Sequence, residues 1–190
     1  MTSTAPADAL DAALHVARAL EAAKVPYALG GALAYGLWGV PRATLDVDLN
    51  VFVEPEGLGP VFEAFGTLGI MVDTAGAQGS IEREGMFQAW YGIYRLDVFT
   101  PSIDFAWEAA RTRVRRAFDE QEAWFLSAEA LAVFKLLFFR PKDLVDLERL
   151  VSVQGSRLDV AYVRRQIVEM MGEEDPRVQR WDELVASFMP

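Results

Sequence analysis

The chain has 190 residues, 52% of them hydrophobic and 24% charged, which is the composition of a globular protein rather than a disordered one. Its length suffices for one compact domain, or for one domain with a small helical appendage. The formal net charge of −10 argues against sequence-independent nucleic-acid binding through a broad basic surface, but leaves room for a local basic patch.

The residue types also limit which cellular compartment and which kinds of metal site are compatible with the chain. Cysteine is absent, which excludes disulfides and thiolate ligands and fits a reducing cytoplasm. Residues 1–6 lack the basic residues and apolar core of a signal peptide. The most apolar stretch, 131–139, is too short to span a bilayer. We therefore expect a cytoplasmic location and no contact with a membrane.

Apolar periodicity and the positions of glycine and proline predict an N-terminal unit that mixes helices and strands. The first segment repeats apolar residues at helical spacing, whereas 46–53 alternates apolar and polar residues as a half-buried strand does. The predicted elements, in chain order, are a helix over 7–24, a strand over 27–29, a helix over 32–38, a strand over 46–53, a glycine-weakened helix over 56–68, a loop over 76–79, and strands over 86–91, 93–99, 114–118 and 123–126.

The pattern becomes helical after residue 126. Ser127 and Asp159 suit helix N-caps, and Pro141 suits the first turn of a helix. We expect an α+β fold with two parts: an α/β core over 1–126 and a C-terminal helical unit over 127–190 packed on it. The predicted helices run from Ser127 to 139, from Pro141 to just before 155, from Asp159 through 171, and over about 176–188.

Neither the single histidine nor the basic cluster is predicted to form a functional site. His15, the single histidine, lies on the polar side of the first helix, where we expect it to be solvated and without the partner that catalysis requires. Arg111, Arg113 and Arg115 would share one face if their segment is a strand, and together with Arg116 they read most simply as a solvated basic face. Any metal site must then use oxygen ligands, which favours Mg²⁺ or Mn²⁺ over Zn²⁺.

Asp46 and Asp48 are the strongest candidates for chemistry. They lie two positions apart on a predicted strand, so both carboxylates leave one face and can bind the same cation. Adjacent like charges are costly unless a cation neutralises them. A solvated strand end is the alternative, because exposed acidic residues are common. Asp97, inside a later strand, is from its own surroundings a surface residue or a salt-bridge partner.

Other residues suggest phosphate binding. Gly30 and Gly31 stand between a strand and a helix, where backbone N–H groups can approach an anion, although such pairs are mostly plain turns. Lys135 lies in a helix without a polar side, so it must extend to solvent, pair with a carboxylate or face a cavity. Asp143 and Asp146 share a face of the next helix, and Asp143 also suits the helix dipole. We expect Lys135 to open into a cleft, and a Lys135→Met variant to keep its fold.

Together these segments resemble the nucleotidyltransferase fold of the DNA polymerase β superfamily, and more narrowly the AbiEii-like proteins of abortive-infection and toxin–antitoxin systems. The resemblance covers most of 25–150, and its most specific part runs from the glycine pair to the two aspartates. It implies that Asp46, Asp48 and Asp97 hold Mg²⁺ or Mn²⁺ and act in catalysis with Lys135. It also implies that an NTP contacts Gly30, Gly31, Arg42, Thr44, Asp143 and Asp146.

The function implied is transfer of an NMP from an NTP, such as ATP, to an unidentified acceptor, with release of pyrophosphate. The acceptor would be an RNA end, a protein hydroxyl or a small molecule, and a toxin role would bring an antitoxin protein as partner. Many family members have Gly-Ser where this chain has Gly30-Gly31, so here the backbone and Arg42 would hold the phosphate. The alternatives are an inactive nucleotide- or partner-binding module and a small antibiotic-modifying nucleotidyltransferase. Trp38, Trp90 and Tyr91 are candidates to stack on a base, although core packing explains each more simply.

Overall fold

The structure, a computed structural model, describes residues 5–118 and 121–188. Residues 1–4, on which the expectation about a signal peptide partly depends, lie outside the described residues, as do 119–120 and 189–190. Within the two described ranges, no helix is long and apolar enough to cross a membrane.

Helices and strands alternate in the first part of the chain, and helices follow one another after the last strand. The strands are β1 (Tyr27–Leu29), β2 (Asp46–Val51), β3 (Met86–Tyr91), β4 (Tyr94–Phe99), β5 (Val114–Phe118) and β6 (Gln121–Phe125). The α-helices are α1 (Ala9–Ala22), α2 (Gly31–Trp38), α3 (Gly59–Thr67), α4 (Thr74–Glu84), α5 (Phe105–Thr112), α6 (Ala128–Phe138), α7 (Pro141–Gln154), α8 (Val160–Met171) and α9 (Pro176–Phe188). Short 3-10 helices cover Pro55–Gly57 and Gly155–Arg157.

The six strands form one mixed sheet in the order β3-β4-β2-β1-β6-β5. β2 is parallel to β4 and antiparallel to β1, and β1 is parallel to β6. The two outer pairs, β3–β4 and β5–β6, are antiparallel hairpins. The predicted α+β class, a mixed sheet flanked by helices and followed by helices, is confirmed. The division into units at residue 126 stays a prediction, and α6 and α7 both contact α2.

The central strands bury one face and present the other to the candidate site. On β2, Val47, Leu49 and Val51 are fully buried in the hydrophobic core, and Leu96 and Val98 of β4 join them. Because side chains alternate along a strand, the residues between them leave the opposite face. This alternation places the polar residues of β2 and β4 together on one surface.

Side-chain caps fix the starts of two C-terminal helices, as the sequence predicts. Ser127 accepts from the amide of Ala130 at 3.1 Å, and Asp159 accepts from the amide of Tyr162 at 2.8 Å. Pro141 occupies the first turn of α7, where its missing N–H costs no hydrogen bond.

The structure differs from the sequence prediction in three segments. The predicted loop over 76–79 lies inside α4, because Ala77 and Ile81 are buried and the helix packs on β3. The predicted helix over 56–68 is divided into a 3-10 helix and α3. The sequence did not predict α5, which buries Phe105 and small alanine side chains. Arg111 therefore lies on α5 and Arg115 on β5, so they do not share a strand face.

The prediction that His15 has no partner is also wrong. His15 is half-buried, with Nδ1 3.1 Å from the hydroxyl oxygen of Tyr91 and Nε2 3.5 Å from Oδ1 of Asp11. Asp11 lies one helical turn earlier on α1, and Tyr91 comes from the end of β3. Tertiary packing of β3 supplies a partner that helical spacing alone does not reveal.

Candidate active site

Four side chains face one another on the polar surface of β2 and β4. The parallel register pairs Asp46 with Arg95 and Asp48 with Asp97. Asp97 therefore lies directly beside Asp48, at the spacing of adjacent strands, which is about 4.8 Å. Asp97 thus shares a face with Asp46 and Asp48, which is the position that a third carboxylate of the kind implied by the resemblance would need.

Arg95 bridges the two outer carboxylates. Its Nη2 lies 3.1 Å from Oδ2 of Asp46 and 3.1 Å from Oδ2 of Asp97. Gln88 of β3 donates from Nε2 to the other oxygen of Asp97 at 2.9 Å. Over residues 5–118 and 121–188, no three histidine, cysteine, aspartate or glutamate side chains converge closely enough to hold a metal ion. The three aspartates share a face, but Arg95 takes the oxygens of Asp46 and Asp97.

The carboxylate of Asp48 turns toward the start of α2. The N–H of Gly30 donates to the backbone carbonyl of Asp48 at 2.8 Å, which ties the glycine turn to β2. Gly31 has a φ of +49°, and a Cβ placed there would lie only 1.7 Å from Oδ2 of Asp48. A serine at position 31 would collide with the carboxylate and strain the backbone. Glycine at this position therefore matches the orientation of Asp48.

Burial raises the pKa of Asp48, and the negative charges of Asp97 and Asp46 raise it further. The charges of Lys135 and Lys142 act in the opposite direction. Crowded carboxylates of this kind are relieved by a cation, and oxygen ligands suit Mg²⁺ or Mn²⁺. The chemistry of the three carboxylates therefore suits a divalent ion, although in this arrangement they do not converge on one point.

Lys135 lies in an alternating network of charges rather than in solvent. Its side chain is buried, with Nζ 2.6 Å from Oδ2 of Asp146 and 3.5 Å from Oδ1 of Asp143. Arg42, in the loop before β2, lies 3.5 Å from Asp146. The side chain of Arg140 contacts Asp143 at 2.6 Å, and the backbone N–H of Arg140 also donates to the carboxylate of Asp143. Asp143 thus caps α7, as its position near the helix start suggested, and also pairs with Lys135.

A cleft of about 1140 Å³ opens between this face of the sheet and the helices α5, α6 and α8. Gly31, Asp48, Lys135 and Asp143 line it, so the glycine turn, one aspartate and the lysine face a common space. Aromatic and acidic side chains form other parts of its wall, among them Phe99, Phe105, Phe138, Glu84, Asp104 and Glu169. Asp46 and Asp97 flank Asp48 on the sheet without lining this cleft in the part of the chain that the structure describes.

The remaining candidates have varied surroundings. The hydroxyl of Thr44 accepts from the backbone N–H of Asp46 at 3.0 Å, which fixes the entry into β2. Tyr91 is buried, and Trp38 is half-buried with its indole donating to the carbonyl of Leu126 at 2.8 Å. Trp90, by contrast, is 58% exposed and pairs with Arg95 across β3 and β4. The nucleotide contact of Thr44 stays a prediction.

Sequence reasoning missed Arg95 and Gln88 as members of this cluster. Arg95 lies two positions before Asp97, and the period of two along a strand could have placed it on the same face. No local signal indicates Gln88, because its contact with Asp97 depends on the register of the β3–β4 hairpin.

Neither a protein-family model nor a curated protein sequence matches the chain. Among solved structures, the antibiotic-resistance factor ANT(2'')-Ia in solution aligns over 86% of this chain and 94% of its own, with a TM-score of 0.59 and 18% identity. A crystal structure of ANT(2'')-Ia in complex with adenylyl-2''-tobramycin aligns over 82% and 94%, with the same TM-score and identity. An antigenic nucleotidyltransferase-like protein from Paracoccidioides brasiliensis aligns over 93% and 95%, with a TM-score of 0.51 and 16% identity. The chain has a nucleotidyltransferase fold.

Within this fold, Gly31 can be tested against a matched glycine of the same helix. Gly31→Ala should lower the free energy of unfolding by about 1–3 kcal/mol, because it forces a strained φ and displaces Asp48. Gly36→Ala should be neutral or slightly stabilising, since a Cβ there meets nothing closer than 3.8 Å. Urea denaturation of both variants measures the difference. A Gly31→Ala variant as stable as wild type would show that the carboxylate of Asp48 moves aside freely.

The raised pKa of Asp48 predicts a stability that depends on pH. The folded state binds this proton more tightly than the unfolded state, so ionisation of Asp48 costs stability as the pH rises above the unfolded value of 3.8. Asp48→Asn should therefore be more stable than wild type at pH 7, and the difference should shrink as the pH falls toward 4. Asp104→Asn, at an exposed carboxyl of the same cleft, controls for the lost charge. A destabilised Asp48→Asn variant at pH 7 would show that burial and the neighbouring carboxylates do not disfavour the charge of Asp48.

The surroundings of Lys135 predict that Lys135→Met loses stability, because both carboxylates that pair with the amine are buried. The expectation that this variant still folds stays a prediction. Methionine would leave Asp146 and Asp143 buried without their shared cation, a change that costs about 3 kcal/mol of unfolding free energy. The double variant Lys135→Met/Asp146→Asn should recover part of this loss, because one of the unpaired charges is removed. Urea denaturation of the single and double variants measures the recovery. Additive losses would show that Lys135 and Asp146 are not energetically coupled.

Proposed function

We propose that the chain is a metal-dependent nucleotidyltransferase that transfers an NMP from an NTP, ATP among them, to a hydroxyl group and releases pyrophosphate. One observation carries the proposal: Asp48 belongs to three features at once. It pairs with Asp97 across the sheet, packs against Gly31 at the start of α2, and lines the same cleft as Lys135. Metal, phosphate and acceptor must meet at one such point in nucleotidyl transfer.

Asp48, Asp46 and Asp97 are proposed to hold Mg²⁺ or Mn²⁺, which when bound stabilises negative charge on the reacting phosphates. The backbone N–H groups of Gly31 and the rest of the first turn of α2 suit a phosphate group, and the helix dipole favours its charge. The N–H of Gly30 is already bound to the carbonyl of Asp48, so Gly30 contributes by letting the backbone approach closely. Lys135 adds a positive charge on the other wall of the cleft, held in place by Asp143 and Asp146. Arg42 and Thr44 border the same region through Asp146 and Asp46.

The wall of the cleft favours a cationic, hydroxylated small molecule as acceptor. Glu84, Asp104 and Glu169 line it, and none of the three takes part in an ion pair among the described residues. Carboxylates attract amines and repel phosphates, and the neighbouring aromatic rings suit the faces of a ring-shaped ligand. The structural neighbour ANT(2'')-Ia, seen with adenylyl-2''-tobramycin, supports this class of acceptor.

A toxin of the AbiEii-like kind, acting on an RNA end or a protein hydroxyl and held by an antitoxin, is the second candidate. The resemblance over 25–150 supports it, but no contact among residues 5–118 and 121–188 favours it. An inactive nucleotide-binding module is the third, since Gly31 replaces the serine of many relatives. The collision that a serine would make with Asp48 weakens this third candidate, because glycine is the residue that this arrangement of the site requires.

Transfer can be tested with NTPs labelled at the α-phosphate, because this atom travels with the NMP. Each NTP is incubated with the purified chain, Mg²⁺ and one of three acceptors: tobramycin, total RNA or a protein extract. We expect label on the small cationic acceptor, and a loss of roughly a hundredfold or more in rate for Asp48→Asn.

The control variant is Asp182→Asn, which removes one carboxylate from α9 and should leave transfer unchanged. Label on RNA or on protein would support the toxin-like candidate instead. Nucleotide binding without transfer to any acceptor would support the binding module. Full transfer by Asp48→Asn would place the active site elsewhere.

A further inference from the structure

Arg95 occupies the position that a cation takes between two carboxylates. A single nitrogen, Nη2, lies 3.1 Å from an oxygen of Asp46 and 3.1 Å from an oxygen of Asp97. These two aspartates flank Asp48 in the register of β2 and β4. The positive charge that relieves their repulsion therefore comes from the chain itself, at the place where a divalent ion would contact the same oxygens.

The guanidinium is not fully satisfied in this position. Its Nε is buried and has no hydrogen-bond partner, so part of the guanidinium's donor capacity is unused. The side chain is 35% exposed, so one side of it is open to solvent. A buried donor without a partner carries a free-energy cost that movement of the side chain would remove.

Trp90 provides an alternative contact for the guanidinium of Arg95. Trp90 and Arg95 are paired across β3 and β4, so their side chains leave the same face of the sheet. Trp90 is 58% exposed and lies on β3, on the side of Arg95 away from β2. A guanidinium over an indole face is a favourable contact that leaves its N–H groups open to water.

We propose that Arg95 is a positioning residue that holds Asp46 and Asp97 in place of the divalent ion and yields that place when the ion binds, moving over Trp90. The inference rests on the proposed function, because it concerns the same three carboxylates. Arg95 keeps them on one face without mutual repulsion, and its departure makes their oxygens available. Ion binding then replaces the guanidinium of Arg95 with the divalent ion, rather than filling a site that was already free.

Ion binding alone tests the exchange, without turnover. Mn²⁺ affinity is measured by calorimetry for wild type, Arg95→Met, Arg95→Lys and Arg180→Met. Arg180 is a matched control: it is 33% exposed and also bridges two carboxylates, Glu148 and Glu183, on the C-terminal helices. Arg95→Met should bind Mn²⁺ roughly three- to tenfold more tightly than wild type, since the ion no longer displaces a paired arginine. Arg95→Lys should fall between them, and Arg180→Met should match wild type.

A second measurement reports the movement itself. Mg²⁺ should change the tryptophan fluorescence of wild type, and this change should disappear in both Trp90→Phe and Arg95→Met. Trp107→Phe, which removes a tryptophan on α5, should retain it. A purely structural salt bridge would give no Mg²⁺-dependent signal from Trp90.

Equal or weaker Mn²⁺ binding by Arg95→Met would overturn the exchange, as would a fluorescence change that survives in Trp90→Phe. Tight binding by Arg95→Met with none by wild type would support it. Failure of the proposed function looks different. In that case Asp48→Asn binds Mn²⁺ as well as wild type does, or no variant binds the ion, and the second result overturns the exchange as well.

Discussion

Repulsion among three carboxylates on two adjacent parallel strands is the interaction on which the site depends. Asp48 lies beside Asp97 in the register of β2 and β4, and Asp46 follows two residues away on the same face. Each neighbouring feature relieves part of this repulsion: Arg95 bridges the outer pair, and Asp48 turns to the positive end of α2. Burial, and after it the charges of Asp97 and Asp46, still raise the pKa of Asp48, and a divalent ion would relieve this crowding.

The same alternation of charge continues away from the sheet and joins the C-terminal helices to the site. Lys135 of α6 lies between Asp146 and Asp143 of α7, and Arg42 and Arg140 neutralise the outer sides of these two aspartates. Buried charges of this kind rarely add net stability compared with apolar residues. Their arrangement instead fixes the position of the Lys135 amine and connects the loop before β2 to α7. The chain thus has a lower folding stability than apolar residues would give it, in return for a fixed position of the Lys135 amine, as is common at functional sites.

Local patterns predicted the elements whose partners are near in sequence. Alternation along β2 placed Asp46 and Asp48 on one face, and the caps at Ser127 and Asp159 marked two helix starts correctly. The helix α4 was missed because its glycines weaken helix propensity, while burial of Ala77 against β3 outweighs this loss. The contact between Gly31 and Asp48 joins residues from different elements, so its steric reason for glycine appears only in three dimensions.

The basic cluster over 111–116 bears on the acceptor, because it is the only dense basic segment in an acidic chain. Its charges are largely used within the protein: Arg111 pairs with Glu108, and Arg115 pairs with Glu122 at 3.0 Å. Arg113 and Arg116 lie over the rings of Trp124 and Trp38. An arginine already paired or stacked gains less from a phosphate than a free one, since it must first give up its partner. The segment is therefore a poor surface for a polyanion, while the carboxylates of the cleft stay available to an amine. Both observations support the small cationic acceptor of the proposed function over a polyanion.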